Sequence, residues 1–295
     1  MPVIRGRCGL SVFIVRCLHT LLTLGILLTL VVKKTGLREA IDDHDILYCG
    51  LFFGLVVLSL FFYFLTCCTD PGYVPITTCN NHQPIKEWEA SEEEDEEARE
   101  DAQMLRRGSG GQDVEAGGSP VKLRRCGFCD IEQPLRARHC EECGRCVSKY
   151  DHHCPWLETC IGERNHKFFW MFTGCKAVLI WWAVAIVWPC FTFNERWPEW
   201  FQSNVIYLID IGVLGVGGFV VSILFCCHTY LMATNLTSWE MVSRHRITYL
   251  KTLDEEINPF HEGYYRNIYH FLCSMASRKW DQIYTKHYIK MTQRA

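Results

Sequence analysis

Residues 126–160 read CGFCDIEQPLRARHCEECGRCVSKYDHHCPWLETC. Seven cysteines and three histidines fall within these 35 positions. Two closed tetrahedral zinc sites take four ligands each, so the stretch carries two more than metal needs. The surplus is one Cys and one His, close together and beside an aspartate. A spare Cys–His pair in a zinc-stiffened module has the makings of a nucleophile with its base.

The ligand spacing predicts how the ten divide. Cys126-x2-Cys129 and Cys140-x2-Cys143 have zinc-knuckle spacing. His139 and Cys140 are adjacent and cannot easily face one ion, which calls for an interleaved partition. Cys126, Cys129, His139 and Cys146 form one site, and Cys140, Cys143, His153 and Cys160 the other. Both are Cys3His and closed, the mark of structural zinc. Pro155 biases Cys154 toward extended backbone, where residues two apart face the same way. His152 and Cys154 then share a side while His153 points to metal. Asp151 needs a local turn to reach His152. The alternative makes Cys154 a ligand and leaves Cys160 or Cys146 spare; the Asp151-His152-His153-Cys154 string favours the first partition.

Outward from the module the chain reads as membrane. It has 295 residues, 49% of them hydrophobic and strongly blocked. A span needs about 20 mostly apolar residues. Ile46–Thr69 and Ile211–Asn235 are uncharged runs of 24 and 25. Ala177–Asn194 is 18 long and is extended across Lys176 by Phe168–Gly174; Cys17–Val32 is 16 long and is extended across Arg16 by Leu10–Val15. Near the headgroups Arg16 and Lys176 can snorkel, and Asp210, near the opposite end of its run, needs no partner by the same logic. Four spans are expected. The first is too long for a signal peptide's apolar region and lacks a small-residue cleavage site before Lys33-Lys34.

The fold class is therefore an all-α multi-pass membrane protein, four transmembrane helices with a cytosolic zinc module between the second and third. The expected organisation is spans one and two in 1–69, a linker in 70–120, the module in 121–167, spans three and four in 168–235 and a C-terminal region in 236–295. Lys and Arg set the orientation. They crowd the segment after the second span (Lys122, Arg124, Arg125, Arg136, Arg138, Arg145, Lys149) and recur after the fourth (Arg244, Arg246, Lys251), whereas loop 191–204 has only Arg196. Both termini and the module are placed in the cytosol. There a cysteine cluster means metal or catalysis rather than disulfides. The net charge of −3 hides the acidic run Glu92–Glu97, which with the Gly/Ser-rich stretches near 108–119 reads as a disordered spacer.

Asp151-His152-His153-Cys154-Pro155-Trp156 in this cysteine-rich frame resembles the DHHC family of protein S-acyltransferases, the palmitoyltransferases. Asp70-Pro71-Gly72 after the second span is similar to a family motif. Thr237-Ser238-Trp239-Glu240 after the fourth looks like its Thr-Thr-x-Glu, with Ser in the second place. Asn258-Pro259-Phe260 and Asn267 lie where a C-terminal family motif with a buried Asn is expected. The resemblance covers about residues 10–275 and leaves out the linker and the last stretch.

It implies a reaction that the residues also support. Cys154 attacks as a thiolate, His152 takes the proton, and Asp151 orients the imidazole. A fatty acyl-CoA co-substrate gives an acyl-Cys154 intermediate, and a cysteine of a membrane-associated protein substrate then takes the acyl group. A fatty chain is costly to hold in water at ~0.8 kcal/mol per CH2, which explains a membrane enzyme. Arg138, Arg145, Lys149, Arg164 and Lys167 are candidates for the CoA phosphates, or for anionic lipid. His166 reads as a surface or core histidine. Trp170, Trp181, Trp182 and Trp188 read as packing or interface residues, and Cys67-Cys68 as span residues or acylation sites. The family implies Golgi or endoplasmic reticulum. The other readings are an inactive membrane-anchored zinc scaffold and an ion transporter. Nucleic-acid binding is disfavoured because the module is tethered to a membrane.

Overall fold

The computed structural model describes residues 9–75, 123–251, 253–254, 256–274 and 277–292. The acidic run and the Gly/Ser-rich stretches of the linker lie outside the described residues. Four helices are long and apolar enough to cross a membrane. They are α1 (Gly9–Val32), α3 (Ile46–Cys68), α4 (His166–Val187, continued by a 3-10 turn to Cys190) and α5 (Trp197–Thr234). The chain is a multi-pass membrane protein by this measure. A short α2 (Gly36–Asp42), capped by the Thr35 hydroxyl, joins the first two spans. Many large apolar side chains face outward, among them Leu21, Leu28, Val57, Phe61, Val216 and Phe219. On a bilayer-embedded protein such a surface meets lipid.

Helix α4 is the hub of the bundle. It packs on α3 and α5 and also touches α1. Its inward residues Leu179, Ile180, Ala183, Ile186 and Val187 join Leu30, Phe52, Val56 and Leu214 in the main apolar core. The tryptophans stitch neighbouring spans. Trp170 Nε1 donates to Thr229 Oγ1 at 2.8 Å, Trp181 Nε1 to Ser222 Oγ at 2.9 Å and Trp182 Nε1 to Tyr48 Oη at 3.0 Å.

Three expectations change. The fourth span begins at Trp197, with Pro198 in its first turn, so the loop before it is shorter than 191–204. At 38 residues α5 is about 57 Å long and exceeds the bilayer's apolar thickness. Helix α4 begins at His166, inside the expected module, so the module is fused to a span without a linker. Lys176 does not snorkel outward; its Nζ donates to Thr23 Oγ1 of α1 at 2.8 Å, a polar bond between two spans.

The module is two two-stranded antiparallel sheets, β1 (Arg138–Cys140) with β2 (Arg145–Val147), and β3 (His152–Cys154) with β4 (Thr159–Ile161). The Asp70-Pro71-Gly72 corner clamps it beneath α3. Asp70 Oδ1 accepts from the Gly72 and Tyr73 amides at 2.8 and 2.9 Å, and Gly72 O accepts from Ser148 N at 2.8 Å. Gly72 has φ +105, a conformation natural to glycine. Gly162 abuts it so closely that a Cβ there would sit 2.6 Å from Pro71 O.

The C-terminal region closes the assembly. It comprises α6 (Ser238–Val242), α7 (Tyr264–Cys273) and α8 (Trp280–Thr292). The last carbonyls of α5 need partners. Asn267 Nδ2 donates to Ala233 O at 2.8 Å and Asn258 Nδ2 to Thr234 O at 2.7 Å. Asn235 ends the helix in the left-handed conformation, φ 55.

Candidate active site

Each sheet of the module pairs one histidine with one cysteine across its strands. His139 lies opposite Cys146, and His153 opposite Cys160. Cross-strand neighbours point to the same face about 5 Å apart, half of a tetrahedral site. A Cys-x2-Cys turn supplies the other half each time. The structure brings together Cys126, Cys129, His139 and Cys146 in one cluster and Cys140, Cys143, His153 and Cys160 in a second, with ligand atoms within 4.8 Å of one another. His139 Nδ1 lies 3.3 Å from Cys129 Sγ and 3.9 Å from Cys146 Sγ. His153 Nδ1 lies 3.5 Å from Cys143 Sγ and 3.7 Å from both Cys140 and Cys160 Sγ. Zinc bonds of about 2.0–2.1 Å to nitrogen and about 2.3 Å to sulfur put tetrahedral ligands at about this separation. Both clusters fit a closed zinc site.

His152 and Cys154 flank His153 on β3, and Asp151 immediately precedes the strand. Strand β3 alternates, so His152 and Cys154 face away from the metal cluster. Lys149 has φ 44, a left-handed turn just before β3, and Asp151 meets the Nδ1 edge of the His152 ring. Asp151 Oδ2 accepts from His152 Nδ1 at 2.7 Å, and Asp151 Oδ1 accepts from Ser238 N at 2.8 Å. Asp151 is 2% exposed. Burial alone would raise its pKa; the imidazoles of His166 and His152 outweigh that and hold it below the usual carboxylate range. Burial alone would lower His152, yet its hydrogen bonds to Asp151 and Cys154 raise it to about 9. With Nδ1 on Asp151, Nε2 is left for the thiol. The ring is held edge-on by Phe169, centroids 5.5 Å apart, with His228 at 5.7 Å.

Cys154 sits at the membrane end of this line. It packs against the apolar cluster of Tyr63, Cys67, Leu157, Ile161, Phe169 and Phe172. The next residues pin it to two spans. Trp156 Nε1 donates to His19 Nδ1 of α1 at 3.0 Å, and Tyr63 Oη of α3 donates to Trp156 O at 3.3 Å. His19 stacks on Tyr63 at 3.9 Å. The thiol is thus presented where an apolar chain entering the bundle would end.

The five candidate cations separate. Lys149, Arg164 and Lys167 line one cavity of about 200 Å3, with Asn235, Arg278 and Trp280. Arg138 stacks on Trp239 with its guanidinium carbon 3.2 Å from the ring centroid, and Arg145 on Tyr73 at 4.2 Å; neither lines that cavity. Lys149 is buried and donates to Asn235 Oδ1 at 2.9 Å. Burial, then Arg136, lower its pKa to about 7. Arg164 lies 3.5 Å from Asp70. Lys167 Nζ donates to Ser274 O at 3.1 Å.

Thr237 and Glu240 form a capping box, with Thr237 Oγ1 accepting from Glu240 N at 3.1 Å and Glu240 Oε2 from Thr237 N at 3.0 Å. This presents the Ser238 amide to Asp151, so the backbone of Ser238 makes that contact and its hydroxyl is not required for it. Sequence reasoning missed what holds Glu240. Arg136 donates to it through Nε at 2.7 Å and NH2 at 2.6 Å, and its guanidinium lies 4.1 and 4.5 Å from the Phe260 and Trp280 ring centroids. It also missed His166 and His228, whose rings hydrogen-bond at 2.8 Å beside Asp151. No spacing signal linked these residues, which lie on different elements.

A membrane bundle presenting a cysteine, a histidine and an aspartate from a double Cys3His module is the architecture of a membrane-embedded thiol acyltransferase. Residues 120–245 match the model of the DHHC palmitoyltransferase family. The chain is 36% identical to palmitoyltransferase ZDHHC12-A of Danio rerio, covering 93% of this chain and 94% of the relative. It is 37% identical to palmitoyltransferase ZDHHC12 of Homo sapiens, covering 92% of each. Protein S-acyltransferase 10 of Arabidopsis thaliana is 32% identical over 53% of this chain and 45% of its own length. The chain belongs to the DHHC palmitoyltransferase family of protein S-acyltransferases.

Proposed function

We propose that this enzyme moves a fatty acyl group, palmitoyl in the first instance, from acyl-CoA to cysteines of membrane-associated proteins through an acyl-Cys154 intermediate. The observation that carries the reading is Cys154 on the same face of β3 as His152, whose other nitrogen is held by Asp151 at 2.7 Å. In the first half-reaction the Cys154 proton rests on His152, whose hydrogen bonds to Asp151 and Cys154 favour the imidazolium, and the sulfur attacks the thioester carbonyl. The carbon–sulfur bond to CoA breaks, and the departing CoA sulfur takes the proton back from His152. In the second, a substrate cysteine loses its proton to His152 and attacks the acyl-Cys154 carbonyl; Cys154 leaves and is reprotonated. Asp151 keeps Nε2 directed at the sulfur and balances the transient imidazolium.

Lys149, Arg164 and Lys167 are assigned to the CoA phosphates because they share one cavity beside His166. Arg138 and Arg145, engaged with aromatic rings, are assigned to holding the module together. Two zinc ions are assigned to the Cys3His clusters as structural metal. We place the termini and module in the cytosol and the enzyme in Golgi or endoplasmic reticulum membranes, the first from the cation distribution and the second from the family resemblance alone.

The test is direct. Purified enzyme given labelled palmitoyl-CoA forms a hydroxylamine-labile adduct on Cys154, and Cys154→Ser loses both adduct and transfer. Full transfer by Cys154→Ser removes the covalent mechanism. No adduct on the folded, metal-replete wild type leaves the scaffold reading standing.

A further inference from the structure

A second cavity, of about 590 Å3, lies between α7 and α8 and shares Arg278 with the one assigned to CoA. Arg266, Arg278, Lys279 and Lys286 line it, with His261 and His287, and Glu262 is the single acid. Arg278 already pairs with Glu262 at 2.7 Å. Arg266, Lys279 and Lys286 are exposed and have no ion pair among the described residues. Three uncompensated cations around one concave surface repel one another, and the arrangement is relieved by a ligand of several negative charges. Arginine and lysine together suit phosphate monoesters, which take both forked and point-charge donors.

The position of the groove names the source of that phosphate. Asn267 of α7 bonds to Ala233 O in the last turn of the fourth span, so α7 hangs directly from the end of that helix. Tyr264, Tyr265 and Tyr269 are 65%, 83% and 54% exposed on α7. Exposed tyrosines beside a span end belong to the headgroup layer. The groove shares α7 with these tyrosines, so its Arg266 lies within three residues of side chains suited to the interfacial region. A headgroup with one negative charge would leave most of its cations unpaired.

We propose that this groove is a binding site for the multiply phosphorylated headgroup of an inositol phospholipid in the leaflet on the module side. Arg278 links it to the active site. Its backbone N–H donates to Glu163 of the module at 2.9 Å, and Trp280 Nε1 donates to the same carboxylate oxygen at 2.9 Å. A headgroup drawn onto Arg278 bears on the segment that seats the C-terminal region against the module.

The experiment uses the full chain with its metal, titrated with dioctanoyl phosphatidylinositol 4,5-bisphosphate and read by native mass spectrometry. One lipid binds per chain. The triple variant Arg266→Gln, Lys279→Gln, Lys286→Gln weakens binding by roughly a hundredfold, since each interfacial cation contributes comparably. The substitutions are on exposed side chains, so metal content and acyl loading of Cys154 stay at wild-type levels. Those two readouts keep a failure here distinct from a failure of the acyltransferase mechanism. Unchanged affinity in the triple variant overturns the site. So does equal binding of dioctanoyl phosphatidylserine, which marks general charge attraction. Equal affinity for soluble inositol 1,4,5-trisphosphate overturns the lipid source, and displacement by free CoA overturns the ligand class.

Discussion

His152 and His153 are covalent neighbours that face different partners, because β3 sends alternate side chains to opposite faces. His153 Nδ1 faces three cysteines, and His152 Nδ1 faces one carboxylate. Single substitutions separate the roles. His152→Ala keeps metal and fold but slows acyl loading by about 10²–10⁴-fold, the range for a positioned general base. Asp151→Ala is milder in rate. His153→Ala loses metal and expresses poorly, and its activity falls as a consequence. Metal analysis with single-turnover loading on the three variants decides it; slow loading by a folded, metal-replete His153→Ala would reverse the assignments. Lys149 carries a pH signature. Its folded pKa of about 7 lies below the ordinary 10.5. Between those values the unfolded chain holds a proton that the folded chain has released. The contribution of Lys149 to stability is therefore highest above about 10.5 and is lost as pH falls toward about 7. Lys149→Met flattens that part of the profile, measured by thermal unfolding in detergent from pH 7 to 10; an unchanged slope would show that this lysine keeps its proton when buried.

At the scale of elements, α6 is only five residues long, yet its first amide holds Asp151. So short a helix has little stability of its own. It is held by the capping box and by the Arg136–Glu240 pair, whose side chains are 0% and 1% exposed. Removing one partner of a buried pair costs about 3–5 kcal/mol because the other charge is left alone. Arg136→Ala is expected to destabilise the C-terminal region by that order and to lower acyl loading with it. Arg136→Lys does not rescue, since an ammonium cannot make both bonds to the carboxylate and lie flat between Phe260 and Trp280. Limited proteolysis of the C-terminal region and loading assays on the two variants test this. Wild-type protection in Arg136→Lys would show that charge alone suffices.

For the whole molecule, metal, module and membrane bundle form one mechanical unit. β4 runs within a few residues into α4, and the residues after Cys154 are bonded to α1 and α3. Stripping the metal therefore does more than unfold a small domain. A strong chelator is expected to abolish acyl loading and to loosen the ends of α1, α3 and α4 that adjoin the module. The wild type carries two zinc ions, Cys154→Ala also carries two, and Cys143→Ala loses at least one. Elemental analysis counts the ions, and hydrogen exchange follows the helix ends. Two ions retained by Cys143→Ala, or one lost on changing Cys154, would break the partition.

The spans and the ligand clusters were legible in sequence because each rests on a local rule. An apolar run of span length has few alternatives to a helix, and ten ligands in 35 residues have few ways to make two tetrahedra. The extended backbone before Pro155 is likewise a dipeptide property, and it sorts His152 from His153 without reference to the fold. What lay beyond sequence was every contact made at a distance along the chain. Arg136 and Glu240 are 104 residues apart, Asp151 and Ser238 are 87 apart, and Trp156 and His19 are 137 apart. The early end of the module, where α4 starts at His166, and the inward turn of Lys176 belong here too. The sequence by itself determined the membrane class, the module and the grouping of its metal-type ligands, because those follow from chemistry within a few residues. Only the tertiary structure decided which cations share a cavity, what orients Asp151 and how the module is locked to the bundle, because packing alone chooses partners among many residues of the same type.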